Sequence, residues 1–157
     1  MNIFVLSEDP EQAARDQCDV HVVKMILESG QMLATVCHQH GIEAPIKATH
    51  AKHPCTLWAG EALENYEWLW RHMGGLLHEY HLRYGKRHAY SELHGWLWDH
   101  RPPLPRLGHT TPFAQAMPEE YRVPGDAVAA YRAYYLGEKA RFAKWKQGNV
   151  PDWFKVP

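Results

Sequence analysis

DVHVVKMILESGQMLATVCH, residues 19–38, decides how the rest of the chain folds, because it has the hydrophobic period of a mostly buried α-helix. At about 100° per residue, its apolar side chains collect on one side of the helix. They are Val23, Ile26, Leu27, Leu33, Ala34 and Cys37. We therefore predict a central helix that begins at Asp19 and ends near Gly41, with the other elements packed around it.

The same helix carries a narrow polar stripe, defined by His21, Lys24, Glu28 and Gln31, which at helical pitch fall within roughly 80° of one another. Methionines and valines flank this stripe, and apolar surroundings disfavour isolated charges. The stripe is therefore predicted to line a pocket in which its groups pair, shift their pKa values or bind a ligand. The alternative is a solvent-facing stripe with one Lys–Glu pair four residues apart.

Composition limits the function classes. The 157 residues suit one domain, residues 1–157, and the net charge of −1 excludes a bulk electrostatic nucleic-acid binder, so any DNA contact must use local basic patches. Twelve His, seven Trp and eight Tyr favour ligand handling. Three cysteines without a CxxC pair, and the lack of a signal peptide or long apolar span, predict a reduced, cytoplasmic protein with no membrane partner.

The remaining sequence predicts an all-α fold of about five helices. The opening MNIFVL is either a strand or a buried extended leader. Besides the central helix, helical patterns cover residues 9–17, 54–84, 91–99 and 126–145. Gly74 and Gly75 interrupt the second of these patterns and predict a kink, or a close crossing with another helix. Residues 101–125, with six of the eleven prolines, form a long irregular segment of the kind often used as a functional loop.

Two basic clusters are predicted to contact DNA phosphates. They comprise Arg83, Lys86 and Arg87 in one turn, and Arg132, Lys139, Arg141 and Lys146 near the last helix. Interleaved aromatic residues favour base stacking, although an ordinary solvated face is the alternative for each cluster.

Metal and cofactor sites have little support in the sequence. No group of His and Cys shows zinc spacing, and there is no Walker loop, GxGxxG or GxSxG motif, so neither a metal nor a cofactor is predicted. His53 and Cys55 fall at a helix N-terminus, which suits either an anion site or a capping His with a buried Cys.

Several segments together resemble a group of small phage-encoded proteins that is similar to the pyrimidine-dimer DNA glycosylases of the endonuclease V type. These segments are residues 1–33, THAKHPCTLW, ENYEWLW, EYHLRYGK, TPFAQAMP and YYLGEKARFAKW, so the resemblance to the phage group spans nearly the whole chain. The link to the glycosylases rests on a Lys-x3-Glu-x2-Gln-like helix, an HP-x3-W segment and an aromatic C-terminal tail.

This resemblance implies an all-helical, endonuclease V-like enzyme that acts on a pyrimidine flipped out of DNA and uses its own N-terminal amine as nucleophile, supported by a glutamate on a helix. The matching groups are Glu28 and the α-amine of Met1, or of Asn2 if Met1 is removed. Because Asn2 is bulky, Met1 is expected to remain, whereas the family uses a processed terminus with a small residue. The residues predicted for catalysis are Glu28, Lys24, His21 and Met1, and those for substrate binding are Gln31, His53, Trp58 and Tyr66.

Two other functions stay open at this point. One is a phage DNA hypermodification transferase, which attaches an amino acid or another small-molecule amine to an activated 5-hydroxymethyl pyrimidine. In that case the lysines and histidines hold the departing pyrophosphate, and Glu28 positions the incoming amine. The other is a non-enzymatic phage module that binds DNA or protein.

Overall fold

The fold was obtained as a computed structural model that describes residues 1–155. Its α-helices are α1 (Pro10–Asp16), α2 (Asp19–Gln39), α3 (Pro54–Ala59), α4 (Leu63–Tyr84), α5 (Ser91–Asp99) and α6 (Ala127–Tyr134). A 3-10 turn at Glu119–Tyr121 and a π-helical turn at Tyr135–Lys139 complete the regular structure. Residues 1–155 contain no strand, so the predicted all-α class is confirmed, with six helices where about five were expected.

The extra helix arises because the chain breaks between α3 and α4. Residues 60–62 form the break, and the N–H of Leu63 donates to the carbonyl of Pro105 (2.8 Å) in the 101–125 segment. α4 runs without a break through both Gly74 and Gly75, so the two glycines do not end the helix. The expected close helix crossing is confirmed, since a Cβ on Gly75 would lie 2.8 Å from the Cβ of Ala14 in α1.

One hydrophobic cluster takes side chains from the leader and from all six helices. The leader, residues 1–6, is irregular and is not a strand, and Ile3, Val5 and Leu6 are completely buried. The start of the chain is thus part of the core.

The last predicted helix is shorter than expected. α6 ends at Tyr134 and continues into the wider π-helical turn, after which the chain runs in turns. Tyr131, Tyr135 and Trp145 are buried. The aromatic tail packs back, with the Trp153 indole N–H donating to Asp16 Oδ2 (3.0 Å). Among the helices of residues 1–155, none is both long and apolar enough to cross a membrane.

Candidate functional site

The leader places the chain terminus on α2. The Met1 α-amine lies 3.1 Å from Glu28 Oε1, and the Asn2 N–H donates to the same oxygen (2.9 Å). The other carboxylate oxygen of Glu28 lies 3.8 Å from Lys24 Nζ. Two of the predicted catalytic groups, Met1 and Glu28, are therefore in direct contact, and a third, Lys24, is adjacent.

Burial differs sharply among these groups. Glu28 is buried, whereas the Lys24 side chain is 68% exposed. The Met1 side chain is only 3% exposed although the residue as a whole is half-buried, so the exposed part of Met1 lies on its main chain. A buried carboxylate without a partner is costly, and here it has an amine and a backbone N–H. The expected enclosed pocket is wrong at Lys24, whose side chain faces solvent.

His21 lies inside the fold beneath the start of the chain. Its ring stacks on Phe4 (centroids 4.3 Å apart), and its Nδ1 lies 2.5 Å from the Tyr135 hydroxyl. Burial lowers the pKa of His21 to about 4, and the nearby positive charges of Lys139 and Lys24 act in the same direction. His21 is therefore neutral near pH 7 and supports Phe4 in the protein interior.

His53 caps α3 beside the amine. Its Nδ1 accepts the Cys55 N–H (3.1 Å), and Cys55 is completely buried, which confirms the capping alternative. Burial lowers the pKa of His53, and the positive charge of the α-amine contributes to the same shift. His53 thus joins the site electrostatically, whereas the half-buried Gln31 continues the stripe along α2.

Two strained backbone positions flank this arrangement. Phe4 has φ 45° and His50 has φ 50°, and within residues 1–155 these are the positive φ values outside glycine. His50 is a neighbour whose charge also lowers the pKa of His53. Bulky residues occupy the left-handed region only where the surrounding structure holds them there, and such positions cluster at functional sites.

Trp58 and Tyr66 are core residues, so their predicted role in substrate binding is wrong. Trp58 is 1% and Tyr66 0% exposed. The Trp58 indole N–H donates to the carbonyl of Thr111 (3.2 Å), and the Tyr66 hydroxyl donates to that of Leu97 (2.6 Å). Their helical spacing turns both rings inward, where a substrate does not reach them.

Arg83 is also misplaced in the predicted DNA-binding set. Its side chain is 4% exposed and forms ion pairs with Glu79 (3.0 Å) and Asp19 (3.2 Å). The guanidinium also donates to the carbonyls of Gln17 (2.7 Å) and Arg15 (3.0 Å). These contacts join α4 to the α1–α2 junction and leave the guanidinium unavailable to DNA.

The other predicted cations differ in how free they are. Arg132 is half-buried, and its Nε donates to the carbonyl of Leu6 (3.0 Å), so it serves the fold. Lys139 is half-buried, with Nζ 4.7 Å from the Tyr134 ring centroid, whereas Arg141 is exposed and lies over Phe142 (5.2 Å). The remaining exposed members of the set are Lys86, Arg87 and Lys146.

A groove between α1, α4 and α5 has no residue of the amine site in its lining. It measures about 270 Å³, and its lining includes Arg15, Trp70, Arg71 and His94. Among the described residues, no three His, Cys, Asp or Glu side chains come together as a metal site. The amine site is therefore a small polar group at the protein surface, rimmed by Lys24.

From the sequence, Asn2 was expected only as a possible carrier of the α-amine, and the contacts that its side chain, Phe4 and Tyr135 make around the amine site were missed. Asn2 had a visible signal, because it is the one polar residue in MNIFVL. No family model, curated protein or solved structure matches the chain.

Proposed function

We propose that the protein is a DNA glycosylase/lyase, a base-processing enzyme of the pyrimidine-dimer glycosylase type that acts on a pyrimidine flipped out of the stack. The observation that carries the proposal is the contact between the chain's own α-amine and the buried carboxylate of Glu28. An amine nucleophile needs a nearby group that accepts its proton, and a carboxylate at hydrogen-bonding distance is such a group.

The reaction can be written on these two groups. The neutral Met1 amine attacks C1′ of the deoxyribose, the C1′–N1 bond breaks, and its electron pair leaves on the pyrimidine. Glu28 takes the proton released by the amine. Opening of the sugar ring then gives an imine between Met1 and C1′. Water hydrolyses the imine, or loss of a C2′ proton eliminates the 3′ phosphate.

If Met1 is removed, the same reaction can be written with the α-amine of Asn2 in place of the α-amine of Met1. The backbone nitrogen of Asn2 contacts the same Glu28 oxygen. An α-amine on either residue therefore starts next to the carboxylate, and mass spectrometry of the intact protein identifies which one is present.

Cations near the stripe support DNA as the substrate. Lys24 and Lys139 both lie close enough to His21 to lower its pKa. Phe142 packs against the same His21 ring (5.7 Å), and Arg141 lies over Phe142. Cations beside half-buried aromatic rings suit a phosphate backbone with an unstacked base. We assign the DNA-contacting surface to Lys24, Lys139, Arg141 and Phe142, and we leave Arg83 and Arg132 out of it.

Borohydride trapping tests the proposal. Duplexes that contain a cyclobutane pyrimidine dimer or an abasic site should each give a covalent protein adduct after reduction, and an undamaged duplex should not. Peptide mass spectrometry should map the adduct to Met1. No adduct with either damaged duplex would overturn the proposal, and an adduct on Lys24 would overturn Met1 as nucleophile.

Glu28→Gln should lower the adduct yield from the dimer duplex by about 100-fold or more, the range expected when a general acid–base group is lost. Glu79→Gln is the matched control, because Glu79 is 7% exposed like Glu28 and is also ion-paired on a helix. It should keep the yield of the wild-type protein in samples shown to be folded by circular dichroism. Equal losses in the two variants would contradict a specific role for Glu28.

A DNA hypermodification transferase is the second candidate. Its supporting observation is the position of His53, which lies close enough to the α-amine and to Glu28 for both charges to act on its pKa, although burial lowers that pKa and so weakens any ion pair with a pyrophosphate leaving group. It is less well supported, because the chain's own amine already occupies the Glu28 oxygen that an incoming amine would need. Labelled amino acid incorporated only into pyrophosphorylated hydroxymethyl-uracil DNA would favour the transferase, and DNA binding without turnover on any substrate would favour a non-enzymatic module.

A further inference from the structure

Asn2 uses its backbone N–H and both polar atoms of its side chain at the start of the chain. Its N–H donates to Glu28 Oε1 (2.9 Å), its Oδ1 accepts the N–H groups of Ile3 (2.7 Å) and Phe4 (3.0 Å), and its Nδ2 donates to the carbonyl of Ala116 (2.8 Å). The residue is 8% exposed. We propose that Asn2 is a positioning residue, which holds the α-amine on Glu28; its catalytic meaning rests on the function proposed above.

The acceptor side of Asn2 sets the direction of the leader. By accepting two successive N–H groups, Oδ1 closes a tight turn over residues 2–4, the kind of turn that Asn side chains form with their own backbone. This turn contains the positive φ of Phe4, and Phe4 is also held by its stack on His21. Without Oδ1, the two buried N–H groups lose their acceptor and the turn loses its support.

The donor side of Asn2 connects the leader to the 101–125 segment. Ala116, which accepts from Nδ2, donates its own N–H to the Tyr131 hydroxyl (3.2 Å), and that hydroxyl donates to the carbonyl of Ala114 (2.6 Å). Tyr131 belongs to α6 and is completely buried. The amine is thereby tied through Asn2 to the long irregular segment and to α6.

The size of the second residue matters for the test. A small second residue would lead to removal of Met1, whose side chain is itself packed in the core. Leucine is close to asparagine in size, and Asn2→Leu removes both the Oδ1 acceptor and the Nδ2 donor. Asn2→Asp keeps an acceptor oxygen but removes the Nδ2 donor. Both variants keep Met1.

The experiment measures the rate at which the Met1 amine is acylated by acetic anhydride at neutral pH, with peptide mass spectrometry as the readout. An amine released from the carboxylate should react about tenfold faster in Asn2→Leu, the factor that corresponds to losing one charge-assisted hydrogen bond. Asn2→Asp should stay within about twofold of the wild-type rate, because its carboxylate still accepts the two backbone N–H groups.

Asn65→Leu is the matched control. Asn65 is also a completely buried amide, and it binds the same irregular segment, through Thr111, away from the amine. It should lower stability without changing the acylation rate. An unchanged rate in Asn2→Leu, a rate in Asn2→Asp as high as in Asn2→Leu, or an equal increase in Asn65→Leu would each overturn the proposal.

This readout separates the positioning role from the proposed reaction, because acylation requires no DNA. Faster acylation in Asn2→Leu together with an absence of any borohydride adduct in the wild-type protein would support the positioning of the amine and reject the glycosylase/lyase. A borohydride adduct in the wild-type protein, together with equal acylation rates in the wild type and Asn2→Leu, would support the glycosylase/lyase and reject the positioning role of Asn2.

Discussion

Replacing Arg83 with Leu separates a structural role for this residue from the DNA-binding role that the sequence suggested. The side chain is 4% exposed and is paired with Glu79 and Asp19, and it also donates to the carbonyls of Arg15 and Gln17. Removing one partner of a buried ion pair costs about 3–5 kcal/mol, because the remaining charge and the backbone acceptors stay buried without partners. We expect Arg83→Leu to lower the free energy of unfolding by about 4 kcal/mol.

Urea denaturation followed by circular dichroism measures this loss. With a slope of about 2 kcal/mol per molar urea, the midpoint should fall by about 2 M. Adding Glu79→Leu should restore part of the loss, since the double variant buries one fewer unpaired charge. Arg87→Leu, on the exposed turn after α4, is the control and should change stability by less than about 0.5 kcal/mol.

Two results would refute this reasoning. One is a loss below about 1 kcal/mol for Arg83→Leu, which would mean that the buried pair contributes no more than a surface pair. The other is a fall of about one unit in the salt dependence of DNA affinity, measured where the variant is folded, because that change marks the loss of a phosphate contact.

Other substitutions test the packing and the buried histidines. Gly75→Ala should lower the free energy of unfolding by about 1–3 kcal/mol, because the new Cβ would lie 2.8 Å from that of Ala14. Gly95→Ala in α5 should raise the free energy of unfolding by up to about 1 kcal/mol, because no atom lies within 4 Å of the new Cβ. Equal effects in the two variants, measured by urea denaturation, would contradict the close helix crossing. Burial lowers the pKa of both His21 and His72 to about 4. The unfolded chain therefore binds protons at these positions below about pH 6.5 while the folded chain does not, so stability should be complete above that pH and should fall as the pH is lowered towards 4. His72→Gln should flatten this pH dependence, and an unchanged slope would show that other groups cause it.

The candidate site was predictable in part. Lys24 and Glu28 on one narrow stripe follow from helical periodicity, and their proximity in α2 is a local property of the sequence. The pairing of Glu28 with Met1 was implied only by the resemblance, because periodicity carries no information on where an extended leader docks. Trp58 and Tyr66 show the opposite limit. An aromatic residue on a helix serves a substrate or the core according to the direction it faces, and that direction depends on what packs against the helix.

The sequence by itself determined the helical class and the bounds of α2 and α5 to within two residues, because hydrophobic period and chain breakers act over a few neighbouring residues. It did not determine which apolar side chains of α2 are buried, since Leu27, predicted on the buried side, is 39% exposed. Tertiary structure alone decided which charges are used inside the fold and which face outward. Arg83 and Lys86 lie three positions apart in one basic run, yet the first is buried and the second is exposed. Asn2 and Glu28 are 26 positions apart and meet through one hydrogen bond. Contacts of this kind depend on how whole elements dock on one another, which no local pattern specifies.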